Sequence, residues 1–314
     1  MAITINNPGI LYHDNTQSYS LNRFKRAIFG YGYTMASNAE TNVVSINGTI
    51  SSSQGSVGTS RYALAAAGYG GDRAIFGYGQ AGTGAVQSLT NLVSNLGVVA
   101  TDTTGVGTVR QNLAAAGYGG DKAIFAKGAN STTFYSLSNL VSNIGVVATD
   151  TTGVGTALSG PVGAGYGFDK AIIGFGYTAP ISNAVTNKTN LISNTGVVAG
   201  DVSGIGTARG TLAAAGYGGD KAIFGYGYNG SANLSLTNLV SNLGVLATDT
   251  TGVGTARRQL AAAGYGGDKA IFGFGYTTTF ISITNLVSNT GVVAADTTGN
   301  PTARDSLAAA GFGS

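Results

Sequence analysis

The 314-residue chain contains no cysteine and no tryptophan, and it has one histidine and four prolines. Without cysteine it can form no disulfide, thiolate nucleophile or zinc–thiolate site. The single histidine, His13, lies in a polar stretch, and we interpret it as a solvated residue rather than a metal ligand. Charged residues make up 9% of the chain, well below the quarter (about 25%) that is usual in soluble domains.

The charge balance argues against several kinds of partner. The net charge of +3 comes from only 16 basic and 13 acidic residues, so it does not indicate the dense basic face that binds nucleic acid. No run of about 18 apolar residues occurs, so no membrane insertion is predicted. Gly, Ser, Thr and Asn carry the polarity instead, a composition that favours an extracellular particle or coat. The composition therefore predicts an extracellular location.

What the sequence does contain is one motif repeated six times. An Ala–Ile pair follows Arg or Lys at Ala27, Ala74, Ala123, Ala171, Ala222 and Ala270. The copies are about 48 residues apart and account for residues 21–314. Residues 1–20 stand outside the repeat, and we interpret them as an N-terminal arm that docks onto another protein.

Each repeat predicts four short β-strands. In the fifth copy they are "LAAAGY", "KAIFGYGY", "LTNLVSN" and "GVLATD", separated by Gly-rich or Asn-x-Gly turns. Aromatic and β-branched residues favour strands, and frequent glycine excludes long helices. Four strands in 40–50 residues (about one blade) are typical of a β-propeller. Large residues such as Phe224 would then project from one face of a blade, and Gly225 would leave a hollow on the other.

The two ends of the chain complement each other. The pattern begins at "NRFKRAIFGYG" without the alanine-rich strand, and the chain ends with that strand at 307–314. The fold class predicted is therefore all-β: a six-bladed β-propeller of four-stranded blades, with the ring closed by the C-terminal strand completing the first blade. A parallel β-solenoid or a trimeric fibre could also use such repeats, but neither needs this complementarity.

The run "TARRQLAAAGYGGDKAIFGFG" at 255–275 resembles a kelch or galactose-oxidase-type propeller repeat. It departs from that pattern where Gly-Phe-Gly or Gly-Tyr-Gly replaces a Gly-Gly pair, and the spaced tryptophan is missing. Tracts such as "GYGGDKAIFGYG" also resemble repeat-rich proteins of marine bacteriophages. That resemblance implies a tail-associated virion protein whose partners are other virion proteins.

Acidic and basic residues recur at fixed repeat positions. Aspartates follow the first turn (Asp72, Asp121, Asp169, Asp220, Asp268) and occupy the fourth strand (Asp102, Asp150, Asp201, Asp249, Asp296). They could form calcium sites or line a channel, but no D-x-D-x-D-G loop occurs, so we favour turn capping. Arginines precede the first strand (Arg61, Arg110, Arg209, Arg257, Arg304), with Leu158 interrupting the series. A ring for phosphate or sialic acid is one interpretation, and structural Arg–Asp pairing is the favoured one.

The six copies differ most between the second and third strands. Binding commonly resides in such loops, and aromatic rings stack on sugars and on partner proteins. The candidate contact residues are Tyr33, Phe134, Tyr135, Tyr177, Tyr228, Asn229 and Tyr276. With Glu40 the only glutamate, no catalytic set is predicted, nor any cofactor or metal. The predicted function is a non-enzymatic structural or adhesion component of a phage virion, associated with the tail or a fibre, that binds other proteins or a host receptor through these loops. The alternative is a glycan-binding, lectin-like propeller.

Overall fold

The computed structural model describes residues 10–13, 17–20, 24–179, 184–299 and 301–313. Within those ranges the fold is all-β and contains no helix. In chain order the strands are β1 (Ile10–His13), β2 (Gln17–Ser20), β3 (Arg26–Tyr33), β4 (Ser37–Val44), β5 (Arg61–Tyr62), β6 (Ala65–Tyr69), β7 (Arg73–Gly77), β8 (Gln80–Ala81), β9 (Thr90–Val93), β10 (Ala114–Tyr118), β11 (Lys122–Ala126), β12 (Ser138–Val141), β13 (Val162–Tyr166), β14 (Lys170–Gly174), β15 (Thr189–Ile192), β16 (Ala213–Tyr217), β17 (Lys221–Gly225), β18 (Thr237–Val240), β19 (Ala261–Tyr265), β20 (Lys269–Gly273), β21 (Thr284–Val287) and β22 (Ala308–Phe312).

The strands assemble into small antiparallel sheets, one for each repeat. Repeats 2 to 6 form β6-β7-β9, β10-β11-β12, β13-β14-β15, β16-β17-β18 and β19-β20-β21. Repeat 1 is β22-β3-β4, extended by the short strands β5 and β8. The predicted arm contains the hairpin β1-β2, and the rest of it lies outside the described residues.

The prediction of four strands in each sheet is wrong in one respect, because the sheets of repeats 2 to 6 have three strands. The fourth segment meets the third strand only at isolated bridges, such as Val93↔Val99 and Thr90↔Thr103 in repeat 2. A side chain interrupts the ladder between them: the Asn91 amide donates to the Ala100 carbonyl at 3.0 Å. The remaining backbone bonds are too few to make a continuous strand.

Second strands form the core because neighbouring sheets cover both of their faces. In β17, Ala222, Ile223 and Phe224 are fully buried. A Cβ atom placed on Gly225 would lie 2.7 Å from Cζ of Phe272, so this ring fills the hollow that glycine leaves on the preceding repeat. The predicted packing of large residues against glycines is therefore confirmed at this interface.

The two chain ends lie together. β22 pairs antiparallel with β3, with Ala308 opposite Gly30 and Ala310 opposite Ile28. This confirms the predicted pairing of the C-terminal strand with the first copy. The first strand of each repeat also neighbours that of the next, and β22 neighbours both β19 and β6.

A series of backbone hydrogen bonds passes from each repeat to the next. A glycine in each first turn donates its N–H to a carbonyl of the following repeat: Gly70 to Asp121, Gly119 to Asp169, Gly167 to Asp220, Gly218 to Asp268, Gly266 to Lys25 and Gly313 to Asp72. The last two bonds connect repeat 6 to repeat 1 and repeat 1 to repeat 2. The series therefore returns to its starting point.

Candidate functional site

Each sheet has two ends with different connections. At the end we call the turn end, the first strand turns into the second and the third strand turns into the fourth segment. At the opposite end, the loop end, the second strand leads into the variable loops. Because all sheets are antiparallel and run in the same order, the six variable loops share the loop end.

A continuous surface crosses the loop end from repeat 5 through repeats 6 and 1 to repeat 2. We call it the aromatic belt, and its members are Tyr228, Arg258, Tyr276, Phe280, Tyr33 and Tyr62. The Arg258 guanidinium lies 4.8 Å from the Tyr228 ring centre and 5.4 Å from that of Tyr276. Phe280 lies edge-on to Tyr276 at 5.7 Å and to Tyr33 at 6.0 Å, and Tyr33 tilts against Tyr62 at 5.2 Å. All six side chains are half-buried.

Polar groups hold the belt in place. The Tyr62 hydroxyl donates to Oε1 of Gln80 at 2.6 Å, and desolvation, with a smaller contribution from Tyr33, raises the pKa of Tyr62. Asp305 pairs with Tyr33 through two backbone hydrogen bonds of 2.8 and 3.1 Å. Desolvation raises the pKa of the buried Asp305 carboxyl to about 6, while Ser306 and the Arg258 charge oppose that rise. Arg258, the cation of the belt, therefore interacts with the charge of a carboxyl that is protonated more easily than an ordinary aspartate.

The structure brings together three of the seven predicted contact residues: Tyr33, Tyr228 and Tyr276. Tyr62, Phe280 and Arg258 were not predicted, although Phe280 lies in a variable loop. Tyr62 and Arg258 follow the repeat arginines, where the other copies carry Gln111, Ser159, Gly210 and Asp305. The variation at that position was the signal that could have identified them.

The remaining predicted residues have local roles. The Tyr135 hydroxyl accepts a hydrogen bond of 2.7 Å from Nδ2 of Asn130, and Phe134 forms a bridge with Ala129. The Tyr177 ring occupies the space where a Cβ on Gly210 would stand. The Asn229 side chain accepts hydrogen bonds from the N–H groups of residues 231 and 232, so it shapes its own loop.

The repeat arginines are buried structural groups and form no exposed basic ring. All five are fully buried. Arg209 donates to the Tyr226 carbonyl at 2.8 Å and to Oδ1 of Asn238 at 2.6 Å, both in repeat 5, and its guanidinium lies 4.6 Å from the Phe175 ring of repeat 4. Each arginine therefore connects two repeats. The predicted pairing with aspartate occurs at longer range, with 3.7 Å between Arg209 and Asp249.

The fourth-segment aspartates accept hydrogen bonds from the linker that enters their repeat. Asp102 accepts from the N–H and hydroxyl of Thr59 at 2.9 and 2.6 Å and from the Asn91 amide at 2.9 Å. Desolvation favours the neutral acid, but these hydrogen bonds outweigh it and lower the pKa of Asp102. Among the described residues, no three carboxylate or imidazole side chains come together as a metal site.

One junction departs from this pattern. Between repeats 3 and 4, Leu158 replaces the arginine, and Lys127 replaces the aromatic residue over which the arginine would lie. The Lys127 ammonium donates to the Thr156 carbonyl at 2.7 Å. Its burial lowers the pKa of Lys127 to about 8. Oδ1 of Asn190 would accept a hydrogen bond from an arginine at position 158, and it has no hydrogen-bond partner here.

The first strands of all six repeats line one common cavity of about 240 Å³. Its walls are mostly Ala and Gly, and the Phe24 ring enters it at the turn end, against Gly311. The lysines at its mouth pair with their preceding aspartates, as in Lys122–Asp121 at 2.8 Å. The cavity therefore offers few free polar groups, and the aromatic belt is the better candidate site.

The chain matches no protein-family model, and no curated protein matches its sequence. The described residues include no helix long and apolar enough to cross a membrane. The resemblance to kelch-type repeats and to phage proteins therefore stays a prediction.

Proposed function

We propose that the chain is a six-bladed β-propeller and that β22 closes its ring by completing the first blade. Three observations support this architecture: the pairing of β22 with β3, the returning series of glycine hydrogen bonds, and the packing of each second strand between neighbouring sheets. A solenoid has two distant ends and would leave β22 without β3.

The proposed function is non-enzymatic adhesion, in which the aromatic belt binds a receptor. The observation that carries it is the continuity of the belt over four repeats. Half-buried rings present flat apolar faces that are already ordered, so binding costs little conformational entropy. Arg258 adds a planar donor for carboxylate or carbonyl groups. Aromatic residues and arginine are the types that dominate binding energy at interfaces.

A receptor glycan is the second candidate ligand. The belt offers rings for stacking on a sugar face, with few formal charges nearby. The location on a virus particle, with other virion proteins as partners, rests on the phage resemblance and is tested separately by cosedimentation with particles.

A glycan array probed with the full chain tests the belt. We expect binding to a restricted set of glycans that Phe280→Ala combined with Arg258→Ala weakens at least about tenfold. Phe134→Ala is the matched control, because Phe134 is a half-buried loop aromatic outside the belt. Equal binding by the belt variant and the control would exclude the belt as the glycan site. If no glycan binds, the glycan candidate is rejected and the same variants are compared for adhesion to host cells.

A further inference from the structure

The turn end of every repeat exposes aliphatic side chains. They lie in the turns that join the third strand to the fourth segment, at residues 45–49, 94–98, 142–146, 193–197, 241–245 and 288–292, which we call the tips. Of the sixteen large hydrophobic residues exposed among the described residues, nine lie in the tips. Leu96, Ile144 and Leu243 are 72%, 66% and 78% exposed. Apolar exposure is therefore concentrated at one end of the molecule.

The tips are rigid. The Ser94 hydroxyl accepts hydrogen bonds from the N–H groups of Leu96 and Val98 at 3.3 and 3.2 Å. Gly97 between them has a φ of +84°, and a Cβ placed on it would lie 2.8 Å from the Phe312 ring of the preceding repeat. Equivalent serine bonds recur in the other tips, as at Ser241. The backbone that carries the aliphatic side chains is therefore held in one conformation before any partner binds, which lowers the entropic cost of association.

The fold does not require these side chains to be apolar. Thr195 and Thr290 occupy the position of Leu96 in repeats 4 and 6, and they keep the same turn, with the Thr195 N–H donating to the Ser193 hydroxyl at 3.3 Å. Aliphatic residues at a rigid, exposed position where threonine serves equally well indicate an interaction surface.

In five of the six repeats, the first-turn charges at the turn end form pairs of opposite sign, whereas repeat 1 carries Lys25 and Arg26 there. Lys122, Lys170 and Lys221 each contact the aspartate that precedes them, at 2.8, 2.9 and 3.0 Å. If a second copy faced this end with its own turn end, the lysines of each copy could lie opposite the aspartates of the other. An anionic bilayer would meet these carboxylates as well as the lysines, which makes it a poorer fit.

We propose that the tips form the interface through which two copies of the chain associate, turn end to turn end. The inference rests on the ring arrangement proposed above, which spaces six tips regularly, and a second copy is the partner that carries the same spacing. Each exposed aliphatic side chain offers on the order of 100 Å² of apolar surface. Nine of them supply several hundred Å², a large part of the roughly 800 Å² that each partner buries in a standard interface.

Sedimentation velocity of the full chain across the micromolar range tests the proposal. We expect a monomer–dimer equilibrium, and we expect Leu96→Thr, Ile144→Thr and Leu243→Thr together to weaken dimerisation at least about tenfold. These substitutions copy residues that the chain already uses at this position. The control is Val109→Thr, Val202→Thr and Ile205→Thr, which removes exposed aliphatic side chains outside the tips and should leave the dimer intact.

A wild-type chain that stays monomeric, or a tip variant that dimerises as tightly as the wild type, would overturn the proposal. Tip-dependent binding of a monomeric chain to vesicles of phosphatidylcholine and phosphatidylserine would also overturn it in favour of an anionic lipid surface. Negative-stain images of the same samples separate the two proposals. Single discs would contradict the dimer and leave the ring intact, whereas elongated particles formed by a monomeric chain would contradict the ring itself.

Discussion

At the scale of single residues, the junction of repeats 3 and 4 shows how two exchanges compensate each other. Leu158 removes the buried guanidinium that connects the other repeats, and Lys127 restores a buried cation from the neighbouring strand. The compensation is incomplete, because Oδ1 of Asn190 accepts no hydrogen bond, whereas Oδ1 of Asn238 accepts one from Arg209.

A double-mutant cycle tests this compensation. Leu158→Arg alone places a guanidinium near the Lys127 ammonium, so the free energy of unfolding should fall. Adding Lys127→Tyr recreates the pair found at Arg257 and Tyr226, and the guanidinium introduced by Leu158→Arg can then donate to Oδ1 of Asn190. We expect a favourable coupling of about 1–3 kcal/mol between the two changes, measured by urea unfolding. Additive effects would show that the two positions are independent.

The lowered pKa of Lys127 makes stability depend on pH. Because the folded-state pKa of about 8 lies below the ordinary value of 10.5, the unfolded chain binds the proton more tightly in this interval. The free energy of unfolding should therefore rise between pH 8 and pH 10.5 by up to about 3 kcal/mol from this group.

Lys127→Met removes this titration and serves as the reference. The free energy of unfolding of this variant should exceed that of the wild type most below about pH 8, and the difference should shrink at higher pH. Tyrosines and other groups titrate alike in both proteins, so they cancel in the difference. A difference in unfolding free energy that is constant across this range would show that Lys127 does not titrate there.

At the scale of strands, the interface between sheets also has a compensated exception. At the interface of repeats 5 and 6, the Phe272 ring faces Gly225. At the interface of repeats 3 and 4, Ala126 occupies the position of this glycine and Ile173 occupies the position of the ring, and the two residues lie in the same core cluster. A larger residue on one strand accompanies a smaller one on the strand that packs against it.

We expect Gly225→Ala to destabilise the protein by about 1–3 kcal/mol, because the added Cβ would lie 2.7 Å from the Phe272 ring. Adding Phe272→Ile, which copies repeats 3 and 4, should recover part of the loss relative to the sum of the single changes. Gly200→Ala is the control, since no atom lies within 4 Å of its new Cβ. Equal effects of Gly225→Ala and Gly200→Ala on the thermal midpoint would contradict the packing argument.

Strand identity was predictable because alternation and glycine spacing are local properties of the sequence. The absence of a regular fourth strand was not predictable in this way, since the Asn91 side chain donates to the Ala100 carbonyl, which would accept a backbone hydrogen bond in a regular ladder. The aromatic belt was found only in part, because Tyr33, Tyr62 and Phe280 come from different repeats and meet through the arrangement of the sheets. Variation among copies identifies loops, but it does not show which loops contact each other.

At the scale of the whole molecule, the two ends are proposed to have different tasks. The loop end differs from repeat to repeat and carries the aromatic belt on one side only. The turn end repeats nearly the same tip six times. A ring with one variable and one uniform end can bind a ligand on the first and a second copy on the second.

The central claim is that six copies close into a ring whose ends meet. Spin labels at Met35→Cys and Thr302→Cys test it most directly, because the chain has no other cysteine and both positions are exposed. Tyr33 and Asp305 are bridged, so the chain's reach limits the labelled backbone positions to about 25 Å apart. Double electron–electron resonance should therefore give a single short distance, lengthened only by the label arms. A broad distribution centred beyond about 40 Å would contradict the ring.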